Sequence, residues 1–287
     1  MLGFLVSKFK ACRSELRKET RKVEEDSKEV LAEYVRIGEE TCKELRLLPH
    51  LENLPYGGQH SSGNSDLAKV DIWGEVKDHL VILIHGGFWQ ESTRKIISPA
   101  AKHLLKRNMA VASVGYDYAS STHSISDVVQ QLVIAVKYLL SKYPQAKLVS
   151  LAGHSAGAHL AFKVFTQLRS PRIQKLILFA GVYKLDDLPN CEIGTLIGLT
   201  PEEAMKNSCN ASELLGANVR ILMLVAVKDS PKIVEQNRAM GEALKNEGVA
   251  VEYQEFPECD HFNLIHGLRI EEEDHTKKFL SFLQSDN

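Results

Sequence analysis

Leu148-Val149-Ser150-Leu151-Ala152 runs straight into Gly153-His154-Ser155-Ala156-Gly157, and an amphipathic stretch follows at once. A strand that passes directly into a helix leaves no room for an ordinary loop. The residue at the apex takes a strained backbone conformation, and the positions two residues to either side must be small. Here the apex is Ser155, with Gly153 and Gly157 flanking it. Such a turn stands the serine hydroxyl clear of the sheet edge, open to a base from one side and to a carbonyl from the other.

The surrounding pattern agrees with that turn. From Val70 onward short Val/Ile/Leu runs alternate with helical stretches, which predicts βαβ units and a mostly parallel sheet. The predicted strands are 70–73, 80–84, 110–116, 148–152, 175–180, 221–227 and 251–256, and the predicted helices 99–107, 126–143, 156–168, 231–247 and 272–283. Ser98-Pro99 and Ser230-Pro231 each read as a cap followed by proline at the first helical position. Residues 55–69 read as a loop. Residues 182–216 are too long for a plain connection and too short for a domain. They are expected to form a lid or pocket wall above the carboxyl ends of the strands. The fold class is therefore α/β, an α/β-hydrolase fold with helices on both faces of the sheet and a small lid insertion. A charged helical segment at 1–48 precedes a hydrolase domain at 49–287, with Glu24–Lys28 and Glu39–Lys43 spaced to support an exposed helix.

Composition excludes other classes. A length of 287 residues suits one large α/β domain, and a formal net charge of −2 gives no reason to expect nucleic acid or an anionic membrane as partner. The five cysteines are odd in number and scattered, which favours a reducing compartment. The apolar start at Met1–Phe9 is too short for a signal peptide, and the chain is expected in the cytosol as a monomer or homodimer acting on a small molecule.

Serine needs a base, and in this fold the acid and the histidine follow it in the order Ser, Asp or Glu, His. Asp229 lies just past the strand 221–227, and His261 lies in the loop after 251–256. Both loops open at the sheet edge where Ser155 sits. Asp186, Asp187 and Asp260 compete for the acid and His266 for the base, and the required order favours Asp229 and His261. His261 and His266 lack zinc-motif spacing, so neither metal nor cofactor is expected. The turn His85-Gly86-Gly87-Phe88-Trp89 follows the strand 80–84. Glycine lets the backbone approach a developing oxyanion, so Gly86 and Gly87, with Ala156 after the nucleophile, are the expected donors. His85 is expected to brace the loop. Phe88 and Trp89 are candidates for an aromatic substrate wall, with packing against the scaffold an equal alternative for each. Cys259 reads as an inert thiol rather than a redox switch.

The combination HGGFWQ, GHSAGAHL, Lys-Asp-Ser-Pro and Cys-Asp-His-Phe resembles the kynurenine formamidase (arylformamidase) family of hormone-sensitive-lipase-like α/β-hydrolases, over roughly residues 50–283. Where that family's insertion is expected to carry Ser-Pro, this chain has Ser208-Cys209. The resemblance implies hydrolysis of N-formyl-L-kynurenine to formate and L-kynurenine, in tryptophan breakdown. The alternatives are a general carboxylesterase of short acyl aryl esters and a hydrolase-fold protein that binds ligand without turnover.

Overall fold

The computed structural model describes residues 20–57 and 65–285, with the side chains of 20–28 left aside. Met1–Phe9, the pair Glu24–Lys28 and residues 58–64 of the predicted loop lie outside the described portion. One eight-stranded sheet organises the rest, in the spatial order β1-β2-β4-β3-β5-β6-β7-β8. The strands are β1 (His50–Pro55), β2 (Lys69–Trp73), β3 (His79–Ile84), β4 (Met109–Val114), β5 (Leu148–His154), β6 (Ile173–Phe179), β7 (Arg220–Ala226) and β8 (Val251–Phe256). β3 to β8 pair in parallel, while β1 and β2 add an antiparallel edge. This is the α/β-hydrolase architecture.

The central strands are buried on both faces, and alternate residues divide between two cores. Leu80, Ile82, Ile84, Val149, Leu151, Leu176 and Leu178 join the core on one face. There they meet α3 (Ile125–Lys142) and α4 (Ala156–Leu168). Val81, Leu83, Ala152, Ile177, Phe179, Leu222 and Leu224 join the core on the other. That face carries α1 (Thr20–Leu45), α2 (Ala101–Leu105), the short α8 (Asn263–His266) and the final α9 (Asp274–Gln284). α1 buries Leu31, Tyr34, Cys42 and Leu45 in this core, and its exposed side pairs Arg36 with Glu33 and Glu40.

Between β6 and β7 the insertion folds as a 3-10 turn at 188–190, α5 (Glu192–Leu196), α6 (Pro201–Asn207) and a second 3-10 turn at 211–214. α7 (Pro231–Asn246) then links β7 to β8. Leu185, Ile193, Ile197, Leu199, Ala204 and Leu214 of the insertion are buried in the first core. Cys209, the departure noted in the sequence, is buried, and its N–H donates to the Tyr183 carbonyl at 2.7 Å.

One strand was not anticipated and one expected cap is corrected. β1 lies immediately before and runs into the predicted loop. Its residues His-Leu-Glu-Asn-Leu-Pro do not alternate cleanly, and a bulge with Asn53 at φ 60° interrupts the pairing. Ser98 does not cap a helix: α2 starts at Ala101, and the Ser98 hydroxyl is buried 3.2 Å from that of Ser113. Ser230 does cap α7, accepting from the Ile233 N–H, with Pro231 in the first turn. α3 starts earlier than expected because Ser124 and Asp127 form a reciprocal capping box.

What positions the site is the sheet's order. From β3 the chain goes to β4 on one side and then crosses to β5 on the other, so the topological switch lies between the carboxyl ends of β3 and β5. The register pairs Ile84 with Gly153, which sets His85-Gly86 beside His154-Ser155.

Candidate active site

Ser155 sits between β5 and α4 at φ 56°, ψ −121°, a conformation that costs about 1–3 kcal/mol in a residue with a side chain. The flanking glycines explain how the turn closes. A Cβ on Gly153 would lie 2.0 Å from the Gly157 carbonyl oxygen, and one on Gly157 would lie 2.3 Å from that of Ile84. The Ser155 N–H donates to the Phe179 carbonyl at 2.8 Å, tying the apex to β6. The Ala156 N–H lies in the first turn of α4, where no carbonyl of the helix itself can accept it.

The turn after β3 approaches the apex closely. A Cβ on Gly86 would lie 2.7 Å from the His154 carbonyl oxygen and 3.1 Å from the Ser155 Cβ. Gly87 has φ 104°, and a Cβ there would meet the Glu91 carbonyl oxygen at 2.1 Å. A side chain at either position would force the turn to shift. His85 is buried and bonds through Nδ1 to the Gly86 carbonyl at 2.8 Å, bracing the turn. Burial, only partly offset by that bond, lowers its pKa to about 4, so it stays neutral.

Asp229 follows β7 and His261 follows β8, and the two meet, Nδ1 to Oδ2, at 2.6 Å. The Asp229 carboxylate is almost wholly buried, and its other oxygen accepts from the Ser230 N–H at 2.7 Å. With Nδ1 committed to a carboxylate, the imidazole keeps Nε2 as its free base and gains charge stabilisation when protonated. His154, inside the serine turn, donates from Nε2 to the His261 carbonyl at 2.8 Å, and the two rings lie 4.5 Å apart. The strand end that carries Ser155 therefore also holds the loop that carries His261. Burial keeps His154 neutral, far below its ordinary pKa.

The competing residues are elsewhere. Asp260 is committed to its own loop, accepting from the Phe262 and Asn263 N–H groups. Asp186 and Asp187 are exposed on the insertion, the latter 3.1 Å from Lys232. His266 lies one short helix beyond His261, near Tyr34. Cys259 is buried 3.6 Å from His275 Nδ1, and burial pushes its thiol up to about 12. Among the described residues no cluster of three or more side chains has the makings of a metal site, and no helix is long and apolar enough to cross a membrane.

The aromatic pair separates. Phe88, at φ 50°, is half-buried. Trp89 does not line a pocket: its side chain has no exposed surface and lies in the core, with Nε1 donating to His159 Nδ1 at 3.1 Å. His159, four residues past Ser155, donates in turn from Nε2 to the Asn207 carbonyl of α6 at 2.8 Å. Of the two alternatives for Trp89, packing against the scaffold holds, and its indole N–H joins three elements.

Two participants were not anticipated. His154 occupies the variable position of its motif, where any residue type is admitted. Tyr34 reaches the site from α1, its ring 5.4 Å from Phe262 and 6.4 Å from His154. Its advance signal was an aromatic set among the charges of residues 10–46.

Known proteins resemble this chain in sequence and in fold. A family model described as BD-FAE matches residues 73–220. A kynurenine formamidase of Salmo salar is 31% identical over 228 residues, covering 76% of each chain. One of Drosophila melanogaster is 28% identical, covering 68% of this chain and 70% of its own. Among solved structures, an esterase of Pyrobaculum calidifontis superposes with a TM-score of 0.69 at 16% identity, covering 88% of this chain and 91% of that one. Esterase B of Lactobacillus rhamnosis, inhibited by a C6-C4 SN3 compound, gives 0.66 at 16% identity, covering 89% and 94%. At such identities the structures establish the shared fold.

Proposed function

The chain belongs to the kynurenine formamidase family, within the BD-FAE α/β-hydrolases, and from that premise we propose that it hydrolyses N-formyl-L-kynurenine to formate and L-kynurenine. The observation that carries the reading is the His261–Asp229 pair, 2.6 Å apart and tied to the serine turn through His154.

In the proposed reaction, His261 Nε2 takes the Ser155 hydroxyl proton as Oγ attacks the formyl carbon. Asp229 holds the ring and stabilises the imidazolium. The carbonyl electron pair moves onto oxygen, where the Gly86, Gly87 and Ala156 N–H groups donate to it. Collapse breaks the C–N bond, and His261 delivers its proton to the departing aryl amine. Water, deprotonated by the same imidazole, then attacks the formyl ester, releasing formate and restoring the Ser155 hydroxyl. A formyl group has no side chain, so its acyl site can be very small. Half-buried Phe88 is the aromatic surface for the substrate ring, and 182–216 is a pocket wall pinned to α4 rather than a free lid.

The test compares kcat/KM on N-formyl-L-kynurenine with that on para-nitrophenyl acetate, with Ser155→Ala as control. The formamide is expected to win by a wide margin, and Ser155→Ala to abolish turnover. Equal or reversed preference makes the protein a general carboxylesterase, and no hydrolysis of any formyl or acetyl compound leaves only ligand binding.

A further inference from the structure

Tyr116 lies two residues past β4, with its whole side chain buried. The residue before it is held by both its backbone groups: the Gly115 N–H donates to the Lys69 carbonyl at 2.9 Å, and the Tyr56 hydroxyl donates to the Gly115 carbonyl at 2.7 Å. The Tyr116 ring stacks on His85, with centroids 4.3 Å apart and planes inclined by 9°. Its hydroxyl reaches two successive carbonyls, His85 at 3.1 Å and Gly86 at 3.2 Å. The Gly86 carbonyl also receives His85 Nδ1 at 2.8 Å. A carbonyl only accepts, so His85 carries its proton on Nδ1.

These two carbonyls have a particular significance. A trans peptide is planar, and its N–H points opposite to its C=O. The His85 carbonyl shares a plane with the Gly86 N–H, and the Gly86 carbonyl shares one with the Gly87 N–H. A donor that pins both carbonyls from behind sets the direction of both amides in front. We propose that Tyr116 is a positioning residue that aims the Gly86 and Gly87 N–H groups at the oxyanion, with His85 as its auxiliary. The proposal rests on the reading of those two glycines as oxyanion donors.

The arrangement suits the task. Glycines have no side chain to fix their rotation, so a turn free enough to approach a carbonyl oxygen needs an outside restraint. Preorganisation is what gives such donors their catalytic value, since they need not reorient as charge develops. Burial holds the Tyr116 phenol protonated and His85 neutral, so both remain donors throughout the working pH range.

Tyr116→Phe keeps the stacked ring and removes only the hydroxyl. On N-formyl-L-kynurenine its kcat is expected to fall about 10- to 100-fold, short of or equal to the loss of one whole donor, with KM within about twofold. An aryl trifluoromethyl ketone, which forms an oxyanion on Ser155, should bind more weakly by the same factor. L-Kynurenine, which forms none, should inhibit as it does the wild type. A hydroxyl that merely fills the core lowers the melting temperature and leaves kcat per folded molecule and ketone affinity unchanged. That outcome overturns the proposal. Should Tyr116→Phe not fold, His85→Ala removes the second donor on the Gly86 carbonyl and is read in the same way, with unchanged kcat again overturning it. Both variants are also assayed on para-nitrophenyl acetate, where the same loss is expected because every acyl substrate uses the donors. Wild-type protein without Ser155-dependent turnover of either substrate overturns the functional reading and this inference with it. Wild-type turnover that Tyr116→Phe leaves intact overturns the inference alone.

Discussion

Gly86→Ala isolates the approach of the oxyanion turn to the serine. The Gly86 backbone lies outside the left-handed region, so alanine is not strained there, and the effect is steric. The added methyl would sit 2.7 Å from the His154 carbonyl oxygen and 3.1 Å from the Ser155 Cβ, where ordinary contact begins at 3.4 Å. Relief of the shorter contact requires a shift of about 0.7 Å, the difference between 3.4 and 2.7 Å. The serine turn resists, because it is bonded to β6 through the Ser155 N–H and to the His261 loop through His154. The glycine turn therefore moves. A donor placed about 2.9 Å from the oxyanion retreats to about 3.6 Å, outside hydrogen-bond range. The expected result is a fall in kcat of about 100-fold with KM little changed, since the lost contact is made chiefly in the transition state. The accompanying destabilisation from overpacking is about 1–3 kcal/mol. Turnover is followed through kynurenine absorbance and folding by thermal melt. A Gly86→Ala protein that melts cooperatively and keeps kcat within about threefold of wild type refutes the placement of the donors, because a backbone shift of this size is worth far more than that.

Two further perturbations test the energetics. Ser155→Gly relieves the strain at φ 56°, and even after the entropy of an added glycine it should be about 1 kcal/mol more stable than Ser155→Ala, though both are inactive. Urea unfolding compares the pair, and equal stabilities would show that the turn stores no strain. His85 and His159 are fully buried, each with its pKa lowered by burial to about 4 against an unfolded value near 6.5. The unfolded chain then binds the extra protons, so their stability is intact above pH 6.5 and is lost as pH falls towards 4. By pH 5 the loss is about 2 kcal/mol for each histidine. Urea midpoints at pH 7 and pH 5 measure it, in a window above the titration of the carboxylates, and a flat profile would show the two rings are not held neutral.

The centre of the sheet was legible because strands buried on both faces are rich in Val, Ile and Leu, as β3, β5, β6 and β7 are. β1 escaped because an edge strand with Glu52 and Asn53 between its two leucines has no apolar run, and Asn53 breaks its period. The serine, aspartate and histidine were legible for another reason: each follows a strand end, and topology alone carries strand ends in this fold to one edge. Ser98-Pro99 misled because a cap needs a free first turn, whereas Ser98 is drawn into the core by Ser113.

Trp89 shows where such reading stops. Phe88 and Trp89 share a residue class, adjacent positions and left-handed backbones, with φ 50° and 61°. Only the partner separates them: His159, 70 positions away, takes the indole N–H, and Asn207 takes the other side of that imidazole. No local pattern encodes a contact of that separation. It nonetheless fixes the chemistry, because an unpaired nitrogen on a fully buried imidazole costs about 1–3 kcal/mol, and the indole at 89 supplies its donor. The tryptophan that follows His-Gly-Gly-Phe therefore answers to the histidine in Gly-His-Ser-Ala-Gly-Ala-His. The two motifs that build the candidate site are joined by a hydrogen bond as well as by the register of β3 and β5.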